Sequence, residues 1–461
     1  KNDGQCTLRE ALENAAQAGS PDCAYGGSST DTILLPAGDI QLQDTLIIEG
    51  GGIELLGKGA LDKDPGDDEE TLSRILGDGT FRLFEVQPPN SSSGHPSVRF
   101  QFLTLESGYA PGAGETGSGA VIVTGGSVIF DRVRILNNEA EASGGVAFIR
   151  SNAGNEKILT FNNSFVSGNT AGVSGGVMSS NAQNGETFKL VLVGSTFEGN
   201  SAVNEGGVLD ANIAAGEVQI ANSTFVNNSA GQKGSALDLS GITVRANIMN
   251  SSFMNNTGSS GIDLGDAPSE IRLSNSAYFN SGSSCSSGTT VLHHSQYNAF
   301  SGTACAATTE SNNQTSTGAG SLSATLSDPE GEGANDDYLP PYLPIVDAAT
   351  DSVLVDMGND QDALASGTGS PMSCRAEDLR GIARTSGGRC DIGAFEYQQI
   401  TAEDDEGSNQ NIPARKVPVD ILDNDLPSDG AEFGLLTNSP TFDFTFEHAE
   451  LVTLDPEEFT G

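Results

Sequence analysis

The sequence predicts an all-β protein whose main part is a parallel β-helix. The first observation is a repeat with a period near 30 residues between residues 130 and 280. The second is that each repeat contains apolar runs of about 3–6 residues, which are too short for helices. The third is the Asn- and Gly-rich sequence between the runs, which suits tight turns. Three short strands with their turns fill one period, as in one coil of a solenoid.

One asparagine recurs in every repeat, at intervals of 31, 31, 28 and 28 residues. The five positions are Asn138, Asn169, Asn200, Asn228 and Asn256. Asparagine tolerates the left-handed conformation that a tight corner needs, and its side chain can bond the next asparagine along a stack. We therefore predict that these five residues form a structural ladder.

An apolar residue stands three positions before each ladder asparagine, for example Phe197, Phe225 and Phe253. We predict that these rings stack inside the coils, one per coil; a sugar-stacking platform is the alternative. The pattern F-x-x-N followed by G-G-[AV]-[IVL] resembles the repeats of polymorphic outer-membrane proteins and other β-helix surface proteins. This resemblance implies a right-handed β-helix at a bacterial cell surface.

Residues 1–30 are predicted to cap the first coil. Thr7 and Glu10 form a T-x-x-E capping box, and the apolar residues from Leu8 to Ala15 then lie on one helical face. A short amphipathic helix here would cover the unpaired backbone at the open end of the β-helix. The stretch at residues 6–11 resembles the "CSLREA" motif, which starts many exported bacterial β-helix proteins.

The β-helix is predicted to occupy residues 31–345 and to end in a C-terminal cap at residues 346–400. Within the cap, the sequence resembles the "choice-of-anchor Q" ending of surface β-helix proteins, in which D-x-R-G-x-x-R precedes D-I-G-A-x-E. We interpret the charged residues of this motif as an Arg–carboxylate network that fixes the cap, with a catalytic cluster as the alternative. They are Asp378, Arg380, Arg384, Asp391 and Glu396.

Residues 401–461 are predicted to form an acidic, β-sandwich-like module. They hold 15 acidic and two basic residues, a net charge of 2 − 15 = −13. Two acidic stretches resemble the opening of bacterial cadherin-like or Ig-like modules, although about 60 residues is short for such a module. The resemblance makes Asp404, Asp405, Asp423 and Asp425 candidate ligands for calcium. A solvated acidic surface is the alternative.

The six cysteines fall into three pairs that are local in sequence. No C-x-x-C spacing occurs, which argues against a zinc or redox site. We predict three disulfides in an exported protein, with metal binding as the alternative. Sequence proximity alone selects this pairing from the 15 that six cysteines allow. The pairs are Cys6 with Cys23, Cys285 with Cys305, and Cys374 with Cys390.

The chain carries 62 acidic against 21 basic residues, a formal net charge of −41. Such a chain repels phosphates, which excludes a nucleic-acid-binding role. It should also avoid anionic membrane surfaces and polyanionic substrates unless a cation mediates the contact. No run of 18 apolar residues is present, so the sequence predicts no transmembrane segment.

Together these features predict an exported extracellular or cell-surface protein with a non-catalytic structural or adhesive function. Its rigid β-helix would bind glycans, surfaces or copies of itself, with calcium as a possible cofactor and no organic cofactor. One alternative is a subunit of an extracellular filament, completed by strand addition between chains. Another is a polysaccharide lyase or hydrolase, although no basic residue recurs at the coil period and neither an H-E-x-x-H motif nor a P-loop is present.

Overall fold

The structure is a computed structural model of the 461-residue chain. The acidic module predicted at residues 401–461 lies outside the described residues, and so do its four candidate calcium ligands, Asp404, Asp405, Asp423 and Asp425. The described ranges are 5–16, 22–23, 30–49, 51–57, 73–87, 97–150, 157–180, 188–211, 216–240, 245–264, 270–280, 283–286, 292–301, 305, 307–316, 322–323, 325–327, 340–345, 353–359, 374–384 and 389–397.

Four all-parallel sheets, here called A to D, confirm the predicted parallel β-helix. One coil runs through sheets A, B and C in turn, and in five coils a short strand of sheet D lies between B and C. Each strand pairs in parallel with the strand at the same place in the next coil. Sheets A and B have 11 strands each, sheet C has 9 and sheet D has 5.

The strands of each sheet follow in chain order. Sheet A consists of β1 (Thr30–Leu34), β4 (Gly52–Leu56), β7 (Val98–Gln101), β11 (Val128–Asp131), β15 (Lys157–Asn162), β19 (Phe188–Val193), β23 (Gly216–Ala221), β27 (Arg245–Met249), β30 (Glu270–Ser274), β33 (Leu292–Gln296) and β35 (Ala307–Ser311). Sheet B consists of β2 (Gly38–Gln41), β5 (Ser73–Leu76), β8 (Thr104–Glu106), β12 (Arg134–Leu136), β16 (Phe165–Ser167), β20 (Thr196–Glu198), β24 (Thr224–Val226), β28 (Ser252–Met254), β31 (Ala277–Phe279), β34 (Ala299–Ser301) and β36 (Gln314–Ser316). Sheet C consists of β3 (Leu46–Glu49), β6 (Phe84–Gln87), β10 (Ile122–Thr124), β14 (Ala147–Ile149), β18 (Met178–Ser180), β22 (Leu209–Asp210), β26 (Leu237–Asp238), β29 (Ser260–Asp263) and β32 (Ser283–Ser286). Sheet D consists of β9 (Tyr109–Ala110), β13 (Glu139–Ala140), β17 (Thr170–Ala171), β21 (Ser201–Ala202) and β25 (Ser229–Ala230).

A column of stacked aromatic rings fills the interior. On sheet A, the ring centroids of Phe130 and Phe161 lie 4.9 Å apart. The column then crosses to sheet B, where the rings of Phe225 and Phe253 lie 4.6 Å apart. All of these rings are buried, so the prediction that the repeated phenylalanines are core residues is confirmed. The members on sheet B are Phe197, Phe225, Phe253, Tyr278 and Phe300.

The crossing of this column shows how much space one coil encloses. Where sheet A supplies Phe161, the following strand of sheet B supplies the smaller Val166. In the next coil sheet A supplies Leu192 and sheet B supplies Phe197. Because protein interiors are close-packed, we infer that each of these coils has room for one ring at this level.

The five ladder asparagines form one continuous stack of buried side chains that follows the strands of sheet B. In each, the amide Nδ2 donates to Oδ1 of the next asparagine over 2.8–3.0 Å, and the stack continues to Asn280. In the middle of the stack, Asn200 Nδ2 also donates to the backbone oxygen of Val166 at 2.9 Å. Asn200 Oδ1 accepts from the backbone N–H of Asn169 at 3.0 Å. The ladder therefore satisfies buried corner groups that water cannot reach.

The left-handed conformation belongs to the residue before each ladder asparagine. Asn227, with φ of 56°, is exposed, whereas Asn228 beside it is buried. Glycines hold the same place before Asn169 and Asn200. From the sequence, one asparagine was expected both to adopt the left-handed corner conformation and to bond the next asparagine in the stack. In the structure two neighbouring residues share these roles, because the left-handed residue makes the turn and the side chain of the next residue points inward.

A second ladder, not predicted from the sequence, lies at the corner between sheets A and B. Here the backbone N–H of one residue donates to the serine Oγ at the same place in the next coil, as from Ser164 to Ser195 over 3.1 Å. Its signal in the sequence is a serine that recurs at intervals of 31, 28, 28 and 25 residues. The serines are Ser164, Ser195, Ser223, Ser251 and Ser276.

The N-terminal helix, α1 (Leu8–Ala16), packs against strands β1 and β3 of the first coil. Its predicted capping box is confirmed: Thr7 N donates to Glu10 Oε2 at 3.1 Å, and Glu10 N donates to Thr7 Oγ1 at 3.3 Å. Leu12 is buried in the main core, and Arg9 bonds the backbone oxygens of Asp44 and Thr45. Of the helices in the described part of the chain, none has the length and apolarity to cross a membrane.

The three predicted cysteine pairs lie at disulfide-bonding distance. Their Cα atoms are 4.9, 5.3 and 6.4 Å apart, within the range that disulfides span. Two pairs tie irregular segments: Cys6–Cys23 flanks the N-terminal helix, and Cys374–Cys390 lies in the C-terminal segment. The third, Cys285–Cys305, begins on a strand of sheet C.

The described residues between 322 and 397, here called the lateral segment, pack along the side of the β-helix. The outer residue of successive sheet B strands changes from Ser167 and Glu198 to Val226, Met254 and Phe279. The sequence predicts a C-terminal cap of the solenoid at residues 346–400, and described residues of that range bond the coils at Asn222, Asn250 and Asn275. The physical reason for this packing is the apolar outer face, which needs cover. Covering residues include Leu322, Tyr342, Ile345, Leu354, Leu379 and Phe395.

Candidate functional site

Asparagines at the corner between sheets A and B attach the lateral segment to the β-helix. Asn222, Asn250 and Asn275 hold the left-handed corner position in successive coils. Asn222 Nδ2 donates to the backbone oxygen of Glu377 at 2.7 Å. Asn250 Oδ1 accepts from the backbone N–H of Arg375 at 3.1 Å, and Asn275 Oδ1 accepts from that of Asn359 at 2.9 Å. The repeat thus provides a row of amides that holds the backbone of another segment.

The five charged residues of the C-terminal motif meet in one cluster, which holds the lateral segment together. Arg384 is 0% exposed, and its guanidinium donates to Glu396 Oε2 at 3.4 Å and to Asn222 Oδ1 at 3.0 Å. Arg380 donates twice to Asp378 Oδ2, at 2.9 and 2.7 Å. Asp391 accepts backbone N–H groups from residues 356 and 397.

The surroundings of this cluster support the structural interpretation over the catalytic one. Burial raises the pKa of Glu396 and of Asp391. Both carboxyl groups nevertheless stay hydrogen-bonded to backbone N–H groups or to Arg384. Because Arg384 and its partners are almost fully buried, a substrate cannot reach them in this conformation.

A groove of about 470 Å³ opens beside this cluster, between the corner of sheets A and B and the lateral segment. This volume lies within the range of about 300–1,000 Å³ that is typical of ligand pockets. Polar side chains dominate its lining. We call it the corner groove; the residues that line it are Arg132, Asn162, Asn163, Val193, Gly194, Asn222 and residues 375–381.

The wall on the β-helix side is rigid because its polar groups bond one another. Asp131, directly before Arg132, accepts from Arg99, from Gln101 Nε2 at 2.9 Å and from Asn162 Nδ2 at 3.0 Å. Asn163 occupies the same corner position as the asparagines that hold the lateral segment. Asn163 lines the groove opposite residues 375–381 of that segment.

Glycine at position 194 leaves space for the Asn163 amide in this wall. Gly194 has φ of 59°, and a Cβ atom there would lie 2.2 Å from Asn163 Oδ1. A larger residue would therefore displace the Asn163 amide and narrow the groove. The groove thus opens where the row of corner asparagines is interrupted by a glycine.

A second polar cluster, here called the aspartate stack, lies on the outer face of sheet C. Asp210, Asp238 and Asp263 occupy the same position in successive coils, and the strands that carry neighbouring members are about 4.8 Å apart. Ser179 Oγ donates to Asp210 at 3.0 Å, and Lys233 Nζ lies 3.5 Å from Asp263. This stack is not among the features predicted from the sequence, although its intervals of 28 and 25 residues follow the repeat.

Burial controls the protonation of the aspartate stack. Burial, with a smaller contribution from the neighbouring carboxylates, raises the pKa of Asp210 to about 7 and that of Asp238 to about 6. Asp238 and Asp263 are each 2% exposed, so a polymer cannot reach them. We therefore assign the stack a structural role. Among the described residues, no group of three or more His, Cys, Asp or Glu side chains could hold a metal ion.

Because the pKa values of Asp210 and Asp238 are raised, we expect the protein to lose stability as pH rises from about 4 to 8. The unfolded chain releases these protons near pH 3.9, whereas the folded chain keeps them until pH 6–7, so folding is favoured at the acidic end. We expect the free energy of unfolding to fall by about 2–4 kcal/mol across this window. Denaturant titrations at several pH values measure the change.

Two variants isolate the part that the stack contributes. The double variant Asp210→Asn with Asp238→Asn should show a distinctly flatter pH dependence than the natural chain. Glu139→Gln, which removes a charge at an exposed position, should leave the slope unchanged. An equal slope in the double variant would contradict the assignment.

No protein-family model matches the sequence, and none of the curated proteins matches it. The class of the protein therefore rests on its geometry. It is a parallel β-helix with a lateral C-terminal segment, a corner groove and a buried aspartate stack.

Proposed function

We propose that this protein is a non-catalytic, extracellular or cell-surface β-helix that binds glycans in the corner groove. The observation that carries the proposal is the lining of the groove, where the side chains of Asn162 and Asn163 lie beside three arginines and the exposed Glu377. Amide, guanidinium and carboxylate groups supply the donors and acceptors that sugar hydroxyls need. Little apolar surface is available for a hydrophobic ligand.

Rigidity of the groove supports the same proposal. The wall on the β-helix side belongs to strands that are paired on both edges. The opposite wall is held by Asn222, Asn250 and the disulfide between Cys374 and Cys390. A site that is already ordered loses little conformational entropy on binding, which favours weakly held ligands such as sugars.

Export is supported by the three cysteine pairs, since disulfides persist in oxidising compartments. The resemblances of the N-terminal motif, the repeats and the C-terminal motif point to bacterial surface proteins with a right-handed β-helix. A cadherin-like or Ig-like module with calcium at residues 401–461 stays a prediction. So does the filament alternative, for which the exposed Leu34 on the edge strand β1 is the supporting observation.

Blocking the groove tests the proposal. Ala376 lines the groove and is exposed, so Ala376→Trp should fill the groove without disturbing the core. We expect a panel of oligosaccharides to yield at least one ligand, measured by titration calorimetry, whose affinity falls at least tenfold in this variant. Ala113→Trp, at an exposed loop position away from the groove, should bind as the natural chain does.

The same samples decide between the alternatives. Failure of every oligosaccharide to bind, or equal binding by Ala376→Trp, would refute the groove as a glycan site. New reducing or unsaturated ends after incubation would favour the lyase or hydrolase. Ordered polymers in electron micrographs of the unliganded protein would favour the filament.

A further inference from the structure

We infer that the glycan of the corner groove is acidic, bearing carboxylate or sulfate groups. This inference rests on the proposed function and names the class of ligand. Net charge alone predicts the opposite, because a chain with a formal charge of −41 should repel a polyanion. Local charge in the groove reverses that expectation.

The groove concentrates positive charge. Its lining contains Arg132, Arg375 and Arg380 against Glu377 and Asp378, a local balance of 3 − 2 = +1. The whole chain has only 21 basic residues among 461. The charge near the groove matters more than the net charge of the chain, because at physiological ionic strength charges more than about 8 Å away contribute little. A ligand inside the groove therefore senses mainly the nearby charges, among which Arg132 and Arg380 are paired with Asp131 and Asp378.

Arg375 is the residue best placed to bind an anionic group. Its side chain is exposed, and within the described part of the chain no carboxylate forms a salt bridge with it. Its backbone is fixed by the bond to Asn250 and by the adjacent disulfide cysteine, Cys374. A guanidinium on a fixed backbone can hold a carboxylate or a sulfate through two parallel hydrogen bonds.

The other two arginines shape the field of the groove. Arg132 lies over the ring of Phe102, 5.0 Å from its centroid, and 3.7 Å from Asp131. Arg380 donates to Asp378 and lies 3.8 Å from the centroid of Phe395. Both guanidiniums are thus held in place before a ligand arrives. They add positive potential, while Asn162 and Asn163 remain beside them for sugar hydroxyls.

A matched pair of ligands tests the inference. An oligouronate and its methyl ester differ only in charge, and a sulfated oligosaccharide of the same length provides a second anionic arm. At about 0.15 M salt, we expect the oligouronate or the sulfated ligand to bind about tenfold more tightly than the ester. Arg375→Gln should remove most of this preference, so that the oligouronate binds about as tightly as the ester to the same variant. Arg74→Gln, the same substitution at a surface pair outside the groove, should keep the preference.

The outcomes separate this inference from the proposed function. Preference for either the uronate or the sulfate supports it and identifies the anionic group. Equal binding of the acidic and esterified ligands, with Ala376→Trp still defective, would refute the acidic preference while the glycan site stands. An acid preference that survives in Arg375→Gln would also refute it. Absence of binding by every ligand would refute the proposed function itself.

Discussion

Replacing Asn200 with aspartate is expected to destabilise the protein by about 3–5 kcal/mol at pH 7. The new side chain has the same shape but offers an oxygen where Nδ2 stood. That oxygen would face two acceptors, the backbone oxygen of Val166 at 2.9 Å and Asn228 Oδ1 at 3.0 Å. A buried carboxylate between two acceptors must either stay charged and unpaired or take up a proton. Denaturant unfolding of the variant measures the loss.

The loss of stability caused by Asn200→Asp should also depend on pH. Because burial raises the pKa of the introduced carboxyl group, the deficit should be smallest near pH 4 and grow towards pH 7. Asn227→Asp is the matched control, since Asn227 is exposed and aspartate tolerates the left-handed corner that it occupies. Equal stability of the two variants would show that the ladder contributes nothing specific.

Replacing Arg384 with glutamine is expected to release the lateral segment from the β-helix. The substitution removes the guanidinium that joins Glu396, Asn222 and the backbone oxygen of Gly393. Breaking a buried charge cluster in this way typically costs about 3–5 kcal/mol, because the remaining charges lose their partner. Hydrogen exchange should show lost protection at residues 374–384 and 389–397, while the described coils before residue 190 keep theirs.

We expect the loss of protection to stay local because the lateral segment and the interior of the coils have separate hydrophobic cores. The lateral segment shares its hydrophobic cluster with the outer face of sheet B, whereas the aromatic column lies inside the coils. Arg375→Gln is the control, because it makes the same substitution at an exposed position of the same segment. Uniform loss of protection along the whole chain would contradict the assignment of Arg384 to the lateral attachment.

The β-helix was predictable because each coil repeats the same local requirements. A buried ring or aliphatic residue, a corner and a ladder side chain recur at fixed spacing, as at Phe225 and Asn228. The capping box at Thr7 and Glu10 was predictable for a similar reason, since its bonds join residues only three apart. The serine ladder and the aspartate stack follow the same spacing, so the sequence carried their signal as well.

The candidate site was not predictable, since it depends on contacts between distant parts of the chain. Arg132 and Arg375 are 243 positions apart in sequence (375 − 132), yet both line one groove. No spacing rule links them. Likewise, the C-terminal motif predicted a network of five charged residues, but it could not show that Arg384 also bonds Asn222 or that the segment lies beside the coils.

The sequence by itself determined the parallel β-helix, the N-terminal cap and the local cysteine pairs, since all of these arise from short-range or periodic patterns. Only the tertiary structure decided where the charges act. A net charge of −41 excludes polyanions on average, but packing of the lateral segment against the corner asparagines gathers three arginines into one groove. The physical reason is screening, which makes the local arrangement of charges, rather than their sum, control binding at close range.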